Sequence, residues 1–476
     1  MSDLPPKPPA RAERVSLWRY MRLFREDILS AQPARLYRAW MAEFRTPFFR
    51  SYMINQPALV DEVLKARPMD FPKSGRVGEG LRPLLGESVF LTNGETWKRQ
   101  RRIIDPAFEG GRLRDTFPAM WAAGEACVVR MGAGVTPEGA QAEAPPTGAL
   151  TGVSPEATQT SIVEIEEEMS HAAADVIFRT LFSLPIEADI ATQVFHQFRA
   201  YQRTQPILNA AAFVPLPRWL PRGHRAETRK TARAIRDLIS QITTARMAEI
   251  EAGTAPDDLA TKIMTTADPE TGECFTTQEM VDQVAIFFLA GHETSASVLG
   301  WALYLLARYP DWQDKLAAEA VTLPDTPDFS AMSRLKLTRD VFREALRLYP
   351  PVPMMVRETT RPETFRKRAI KPGSQIVISP WHLHRQERLW DNPHGFDPGR
   401  WHTENGKKCM RAAFIPFSAG ARVCTGAGFA MVEGPLLLAM LVRAFRFERI
   451  EGDDPVPVAH LTVRAKDGIR LRVSRR

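Results

Sequence analysis

One long apolar segment, between Thr276 and Pro310, limits what this chain can fold into. Thr276 and Glu279 have the spacing of a capping box, which predicts a helix that begins at Thr277. No proline follows until Pro310, and apolar residues cover nearly every helical face from Val284 to Leu306. Such a helix is about 48 Å long at ~1.5 Å per residue, and its all-round apolarity requires burial. The segment therefore predicts a helix that crosses the interior of the protein.

Polar residues interrupt this helix at Ala290-Gly291-His292-Glu293-Thr294. A glycine, an acid and a hydroxyl are costly in the middle of a buried helix unless they have a role. Gly291 would let a flat ligand or dioxygen approach the backbone. Glu293 can carry protons, and Thr294 can bend the helix by bonding back to a carbonyl. The plainer alternative is that Glu293 forms an ion pair and Thr294 only fills space.

A second unusual stretch surrounds Cys424. It lies between Gly420 and Gly426, with Arg422 two residues before it and Phe417 seven before it. Glycines permit a tight backbone path and leave N–H groups free to point at the sulfur, which favours a thiolate. A helix is predicted from Ala427 to Phe445, so the sulfur would lie near a helix N-terminus. This arrangement suggests an anionic sulfur aimed at a metal, although most cysteines in glycine-rich turns are structural or incidental.

The spacing of Phe417, Gly420, Arg422, Cys424 and Gly426 resembles the haem-binding loop of the cytochromes P-450. The resemblance implies that Cys424 is the thiolate ligand of the haem iron and that Arg422 binds a haem propionate. It places Phe417 and Gly426 beside the cofactor as well.

The same resemblance gives the interrupted helix a function. It implies that Glu293 and Thr294 are an acid–alcohol pair, next to Gly291, that manages water and delivers protons to bound dioxygen.

A third signal follows the turn residues Asn93 and Gly94. Trp97 and Arg101 are four residues apart, on one face of a predicted helix. An indole N–H and a guanidinium aimed the same way suit a carboxylate, although a surface aromatic–cation pair is the simpler alternative. The resemblance implies that this pair grips a haem propionate, and it gives Arg357 the same role.

Glu344 and Arg347 are three residues apart on a helix that Thr338 is predicted to cap and that ends at Leu348. Exposed pairs of this kind are common and contribute little. The resemblance instead buries the pair with Arg400, in a network that supports the cysteine loop.

The resemblance runs from about Tyr52 to the C-terminus and predicts a single mainly α domain with a small β-rich part (α+β) over residues 16–476. Residues 1–15 are expected to be a flexible or extended lead, and 132–161 a flexible loop insertion, because few large apolar residues occur there.

Two further predictions concern segments outside the haem motifs. Pro206–Pro221 is apolar and proline-rich, which suits a lid, a membrane-touching loop or a plain packed loop. Asp467-Gly468 between Leu461–Ala465 and Ile469–Val473 predicts a β-hairpin.

Composition narrows the class of protein. The chain has 476 residues, 44% hydrophobic and 25% charged, and no apolar run approaches the ~20 residues of a spanning helix, so a cytoplasmic protein without a transmembrane anchor is expected. Its four cysteines lack paired spacing, which suits a reducing compartment. The net charge of +7 comes from scattered residues, which argues against nucleic-acid binding. A basic face for an acidic protein partner and simple solvation remain the alternatives.

The implied function is monooxygenation of an apolar small molecule by haem b (iron protoporphyrin IX), with O2 as co-substrate. No glycine-rich dinucleotide fingerprint is present, so electrons from NAD(P)H are expected through a separate ferredoxin or flavodoxin-type donor. Lys407, Lys408, Arg411 and Arg422 are the predicted docking face. A peroxide-driven haem-thiolate peroxygenase and a non-catalytic haem sensor or carrier are the alternatives.

Overall fold

The computed structural model describes residues 4–45, 49–135, 160–204 and 226–476. Of the insertion predicted at 132–161, only the two ends are described, as the end of a helix and the start of a strand. The segment Pro206–Pro221 lies outside the described residues, so its prediction as a lid is not addressed.

The described residues are mainly helical, and short 3-10 and π turns join many of the elements. The helices are α1 (Leu17–Glu26), α2 (Pro57–Asp61), α3 (Gly75–Leu85), α4 (Gly94–Ile104), α5 (Arg112–Gly134), α6 (Ile165–Phe182), α7 (Asp189–Thr204), α8 (Ala226–Glu251), α9 (Leu259–Thr265), α10 (Thr277–Arg308), α11 (Pro310–Ala320), α12 (Lys336–Leu348), α13 (Pro380–Leu383), α14 (Glu404–Ala412) and α15 (Ala427–Ala444).

The strands are short. They are β1 (Met41–Arg45), β2 (Arg50–Ile54), β3 (Thr160–Glu164), β4 (Met355–Glu358), β5 (Glu363–Phe365), β6 (Arg368–Ile370), β7 (Gln375–Ile378), β8 (Phe445–Arg449), β9 (Pro457–Ala459), β10 (Val463–Ala465) and β11 (Arg470–Arg475). A four-stranded sheet has the order β1-β2-β7-β4, and a three-stranded sheet has the order β3-β11-β8. Helices with small sheets confirm the mainly α, α+β class.

The hairpin predicted around Asp467-Gly468 is wrong in its pairing. A turn is present, and Gly468 has φ +81°, but β10 pairs with β9 while β11 pairs with β3 and β8. The alternating pattern identified strands, but strand partners are chosen by contacts distant in sequence, which a local turn signal does not contain.

Helix α10 crosses the interior, as its apolarity predicted. The Thr276 side chain and the Glu279 side chain form the full capping box at its N-terminus. The helix packs against α6, α8, α12 and α15 and belongs to the largest hydrophobic core, while a second core surrounds the four-stranded sheet.

Among the described helices, α15 alone is long and apolar enough to cross a bilayer, and two-thirds of it is buried inside the protein. Because most of it is covered by other parts of the protein, α15 is a core helix.

The start of the described chain packs against the rest of the protein. Pro5 and Pro8 are buried, and the carbonyl of Pro6 accepts a hydrogen bond from the Tyr349 hydroxyl at 2.8 Å. The flexible or extended lead expected over residues 1–15 stays a prediction.

Contrary to the prediction from sequence, helix α12 is not capped by Thr338. The helix begins at Lys336, so Thr338 lies inside its first turn. The carboxylate of Glu319, from α11, accepts from the backbone N–H of Leu337 and of Thr338 at 2.7 and 2.8 Å and from the Thr338 hydroxyl at 2.7 Å. An acid from a neighbouring helix therefore replaces the local cap.

Candidate active site

The cysteine loop is held by its own backbone. The N–H of Cys424 donates to the carbonyl of Phe417 at 2.9 Å, and α15 begins three residues after the cysteine. Gly420 has φ +68°, and a Cβ there would lie 2.0 Å from the carbonyl oxygen of Leu64. Only glycine fits this close approach, so the loop is fixed against the segment around Leu64.

The Cys424 sulfur faces an internal hollow. Its side chain has accessible surface, yet burial among protein atoms raises the pKa of the thiol, while the Gly426 N–H acts to lower it. A Cβ at Gly426 would meet nothing closer than the sulfur itself, at 4.0 Å. An atom that is accessible, although protein surrounds it, borders a cavity. There is therefore room for a ligand in front of the sulfur.

A short stretch of α10 is accessible in the same way. Ala290 is exposed although α10 is otherwise buried almost throughout, and Thr294, one turn later, is partly exposed. The Thr294 hydroxyl donates to the carbonyl of Ala290 at 2.5 Å, the back-bond that the sequence suggested. Ala290 and Thr294 therefore form an accessible patch on one face of the helix.

Gly291 has a packing reason to be glycine. A Cβ on it would lie 2.5 Å from Cδ1 of Ile177, so the missing side chain lets α6 approach α10 closely. The approach of a flat ligand to the backbone at Gly291, which the sequence suggested, stays a prediction.

Glu293 is turned away from Thr294. Its carboxylate is buried and accepts from the Thr462 hydroxyl at 2.5 Å and from an Arg464 N–H at 2.8 Å. The ion pair that was the plainer alternative is thus present, with a partner in β10. The contact fixes the acid beside the accessible stretch of α10.

A buried hydrogen bond joins α10 to the helix that follows the cysteine. The Ser295 hydroxyl donates to Glu433 of α15 at 2.7 Å, and the other Glu433 oxygen has no partner. Burial raises the pKa of Glu433 to about 8, so this carboxyl is protonated at neutral pH.

Three buried or half-buried cations gather around Trp97 of α4. Lys73 Nζ and the Arg422 guanidinium lie 5.7 and 5.0 Å from the indole ring centre, while Arg357 lowers the pKa of Lys73 and Arg422 lowers that of Arg357. The Lys73 Nζ donates to the carbonyls of Val89 and Thr92, at 2.5 and 3.0 Å. The Nε atoms of Arg357 and Arg422 are buried and have no partner among the described residues. We call Lys73, Arg357 and Arg422 the cation cluster.

The cation cluster has no carboxylate to balance it among the described residues. Burial, and then the charges of Arg422 and Arg357, lower the pKa of Lys73 to about 6. Burial followed by Arg422 lowers the pKa of Arg357 to about 10. Uncompensated buried charge of one sign is a binding site for the opposite sign, so the cluster is built to receive an anion.

These features agree with what the chain resembles among known proteins. The family model described as cytochrome P450 matches residues 41–473. The chain belongs to the cytochrome P450 family.

Named relatives support the class of reaction. A cyclooctat-9-en-7-ol 5-monooxygenase of Streptomyces melanosporofaciens is 30% identical over 93% of this chain and 89% of that protein. A cyclooctatin synthase of the same organism is 31% identical over 86% and 84%. A cytokinin hydroxylase of Arabidopsis thaliana is 28% identical over 88% and 77%. The protein is therefore a P450 monooxygenase, an oxidoreductase that uses haem b, O2 and reducing equivalents from NAD(P)H through partners.

The residues of the structure fit that cofactor. An accessible cysteine sulfur suits haem iron, and the cation cluster with its unpartnered Nε atoms suits the two propionates. Trp97 lies near both Lys73 and Arg422. Cys424, Trp97, Arg357 and Arg422 would hold the haem, together with Lys73, which the sequence did not single out.

Arg101 differs from the cation cluster because it already has a carboxylate. It bonds Asp105 at 2.8 Å and the carbonyl of Val423 at 2.7 Å, while Asp105 accepts from the Thr425 hydroxyl at 3.1 Å. In this structure Arg101 therefore positions the backbone next to Cys424 directly.

The predicted pairing of Glu344 with Arg347 and Arg400 is confirmed, while its support of the cysteine loop stays a prediction. Arg347 donates to both oxygens of Glu344 at 2.7 and 2.9 Å, Arg400 donates at 2.9 Å, and all three side chains are buried. The remaining N–H groups of the two arginines go to backbone carbonyls between Asp391 and Gly395, with one to His384. We call Glu344, Arg347 and Arg400 the charge triad.

Proposed function

We propose that this P450 hydroxylates or epoxidises an apolar small molecule in the cytoplasm, with electrons from a separate ferredoxin or flavodoxin-type donor. The observation that carries the proposal is an accessible cysteine sulfur, two residues from an arginine of a cation cluster that lacks a carboxylate among the described residues. The Ala290–Thr294 face of α10 is accessible as well. The overall reaction consumes substrate, O2, two electrons and two protons, and it yields oxygenated product and water.

Different side chains of the protein would have different roles in this reaction. When bound, haem would supply the reductive activation of dioxygen and the transfer of one oxygen atom. Cys424 would ligate its iron as a thiolate, and the cation cluster would neutralise its carboxylates. Thr294 has its hydroxyl on the accessible face of α10, where it can hold a water or a proton beside the substrate. Glu293, held by Arg464 and Thr462, supplies an acid one residue away, and its ion pair keeps it off the cavity between proton transfers.

Thr294→Ala tests the role of the accessible hydroxyl. With an electron donor and NADPH, we expect NADPH oxidation to continue while product formed per NADPH falls by roughly tenfold, because the proton is no longer positioned. Hydrogen peroxide should account for the missing electrons. Thr294→Ser is the matched control and should retain most of the coupling.

The same experiment distinguishes the alternatives. A peroxide-driven peroxygenase would turn over substrate with hydrogen peroxide alone and would not respond to Thr294→Ala. A haem sensor would show no turnover with any donor. Either result, obtained with a substrate that shifts the haem absorption, would overturn the proposal.

The first substrates to screen follow from the relatives' names. Two of them are named for cyclooctat-9-en-7-ol oxidation and cyclooctatin formation, so apolar cyclic alcohols and hydrocarbons are the starting set. A change in the haem absorption on titration would identify binders.

The donor is proposed to dock near α14. Lys407, Lys408 and Arg411 are exposed there, but Arg422, which the sequence placed on the same face, is buried in the cation cluster. Lys407→Glu with Lys408→Glu should slow reduction by an acidic donor at low salt, and salt should reduce the difference. Lys466→Glu with Arg472→Glu, at exposed positions on and beside β11, is the control of equal charge. Equal slowing by both pairs, or none by either, would reject this docking face.

A further inference from the structure

The residues on both sides of Cys424 are held by side chains from the end of helix α4. Arg101, in the last turn of this helix, donates from Nη1 to the carbonyl of Val423 at 2.7 Å. Asp105, which follows the helix, accepts from the Thr425 hydroxyl at 3.1 Å. The two α4 side chains also bond each other, since the Arg101 Nε lies 2.8 Å from both oxygens of the Asp105 carboxylate. We call Arg101, Asp105 and Thr425 the α4 clamp.

The stability of α4 does not explain an acid at position 105. A carboxylate at the C-terminal end of a helix faces the negative end of the helix dipole, which is unfavourable. An arginine followed four residues later by an acid is also the weaker order for such a pair. The 3-10 turn Asp105–Phe108 takes no side-chain cap from the described residues. The partners that account for the Asp105 carboxylate are therefore Arg101 and Thr425, and Thr425 is 320 residues away in sequence.

On one side of the sulfur, the clamp fixes the peptide group between Val423 and Cys424. Its carbonyl accepts from Arg101, and its N–H donates to the carbonyl of Phe417 at 2.9 Å. Both polar ends of this group are therefore held in place.

On the other side, the peptide group between Thr425 and Gly426 carries an N–H that bonds the Cys424 sulfur. Thr425 contributes the carbonyl half of this group, and its side chain is held by Asp105. The direction of the N–H towards the sulfur therefore depends on the bond between Thr425 and Asp105.

The clamp also places one charge of each sign close to the sulfur. Burial raises the pKa of the Cys424 thiol, and the Gly426 N–H lowers it. Arg101 lowers this pKa further, whereas Asp105 raises it. The side chains of Arg101 and Asp105 are 16% and 27% exposed, so water screens their charges only in part. On an iron bound to this sulfur, a nearby positive charge favours the reduced state and a negative charge disfavours it.

We propose that Asp105 is a positioning residue that sets the reduction potential of the haem iron through Arg101 and Thr425. The step concerned is the transfer of one electron from a reductant to ferric iron, which becomes ferrous. The Asp105 charge compensates Arg101 and makes this reduction harder. The bond to Thr425 keeps the Gly426 N–H on the sulfur, which withdraws electron density from the thiolate and makes the reduction easier. The two contributions have opposite signs, so they can be measured separately.

The inference rests on Cys424 as the haem ligand, as the proposed function does. It needs neither the substrate nor the electron donor. A dye-mediated redox titration of the haem-loaded, full-length protein therefore tests it, with dithionite as the reductant and no substrate present.

Asp105→Asn tests the charge, because asparagine keeps an oxygen that can accept from Thr425. We expect the ratio of ferrous to ferric protein at a given potential to rise about tenfold, which corresponds to ~59 mV for a one-electron couple. Glu109→Gln is the matched control. It removes an exposed negative charge four residues later and should leave the ratio nearly unchanged.

Thr425→Val tests the bond to Asp105, because valine has the shape of threonine without the hydroxyl. We expect the ratio of ferrous to ferric protein to fall about threefold, since the N–H is then less well directed at the sulfur. Thr425→Ser is the matched control and should behave as the parent protein does.

Three results would overturn the inference. The first is that Asp105→Asn shifts the potential no more than Glu109→Gln does. The second is that Asp105→Asn lowers the potential, because this sign excludes compensation of Arg101. The third is that Asp105→Asn and Thr425→Val lower the urea midpoint of the haem-free protein but leave the potential at the parent value, which would make the clamp merely structural.

A different result would overturn the proposed function together with this inference. It is a carbon monoxide complex of the reduced parent protein that lacks the far-shifted Soret band given by thiolate ligation. Where the parent protein shows this band and only the potentials of the variants fail to shift, this inference alone is overturned.

Discussion

Two buried groups of charged side chains in this P450 differ in whether their charges are paired. In the charge triad, Glu344 neutralises Arg347 and Arg400, and backbone carbonyls accept the remaining N–H groups. In the cation cluster, Lys73, Arg357 and Arg422 repel one another and two Nε atoms have no acceptor. A buried network whose charges and hydrogen bonds are all paired stabilises a fold, whereas a network with unpaired groups can bind a ligand that pairs them. The two groups therefore differ in whether their charge is compensated among the described residues.

Breaking the triad should have the largest effect. Glu344→Ala leaves two buried arginines without a counter-ion, which costs roughly 3–5 kcal/mol. We expect a much lower urea midpoint and loss of haem on purification. Glu95→Ala removes the acid of an exposed pair with Lys98 and should leave the midpoint nearly unchanged. Equal behaviour of the two variants would contradict the structural role of the triad.

The same substitution in the two groups should give opposite results in the haem-free protein. Arg347→Met breaks the triad and should destabilise the fold, while Arg357→Met removes repulsion from the cation cluster and should leave the haem-free protein at least as stable. Haem affinity should nevertheless fall about 10- to 100-fold in Arg357→Met, since a charged hydrogen bond contributes about 1.5–3 kcal/mol. Urea unfolding and haem competition measure the two quantities. If Arg357→Met destabilises the haem-free protein as Arg347→Met does, the distinction fails.

Much of this architecture is readable from local sequence, because the signals act over a few residues. The Thr276–Glu279 capping box, the cysteine loop and the Glu344–Arg347 spacing each depend on neighbours within a turn or two. The network's third member, Arg400, came from family resemblance alone.

What the sequence did not reveal depends on distant partners. Lys73 has no distinctive neighbours in sequence, and its depressed pKa exists only because the fold brings Arg357 and Arg422 to it. Gly291 is explained by Ile177 on another helix, and Thr338 is bonded by Glu319 instead of capping its own helix. The sequence assigned Arg422 both to a haem propionate and to the exposed docking face. Its burial argues against the docking face.

The smallest expected effect is a pH dependence. In the haem-free fold the pKa of Lys73 is about 6, against 10.5 for the ordinary side chain. Between these values the unfolded chain binds a proton that the folded chain does not, so the contribution of Lys73 to stability should rise with pH over this window. The raised pKa of Glu433, about 8, contributes in the opposite direction below that value. Urea midpoints at pH 6.5, 7.5 and 8.5 measure the slope. Lys73→Met should lower the slope relative to the parent protein, and the exposed Lys336→Met should not. An unchanged slope in Lys73→Met would show that another group is responsible.

The bond between Ser295 and Glu433 has a consequence for anyone who remodels the cavity. Position 295 directly follows Thr294, which is proposed to border the substrate, so libraries aimed at new selectivity will tend to include it. Its hydroxyl is the described partner of a buried acid on the helix that starts three residues after Cys424. Randomising that serine would leave the carboxyl without this partner and weaken the contact between the two helices. Such libraries are better designed with it held constant.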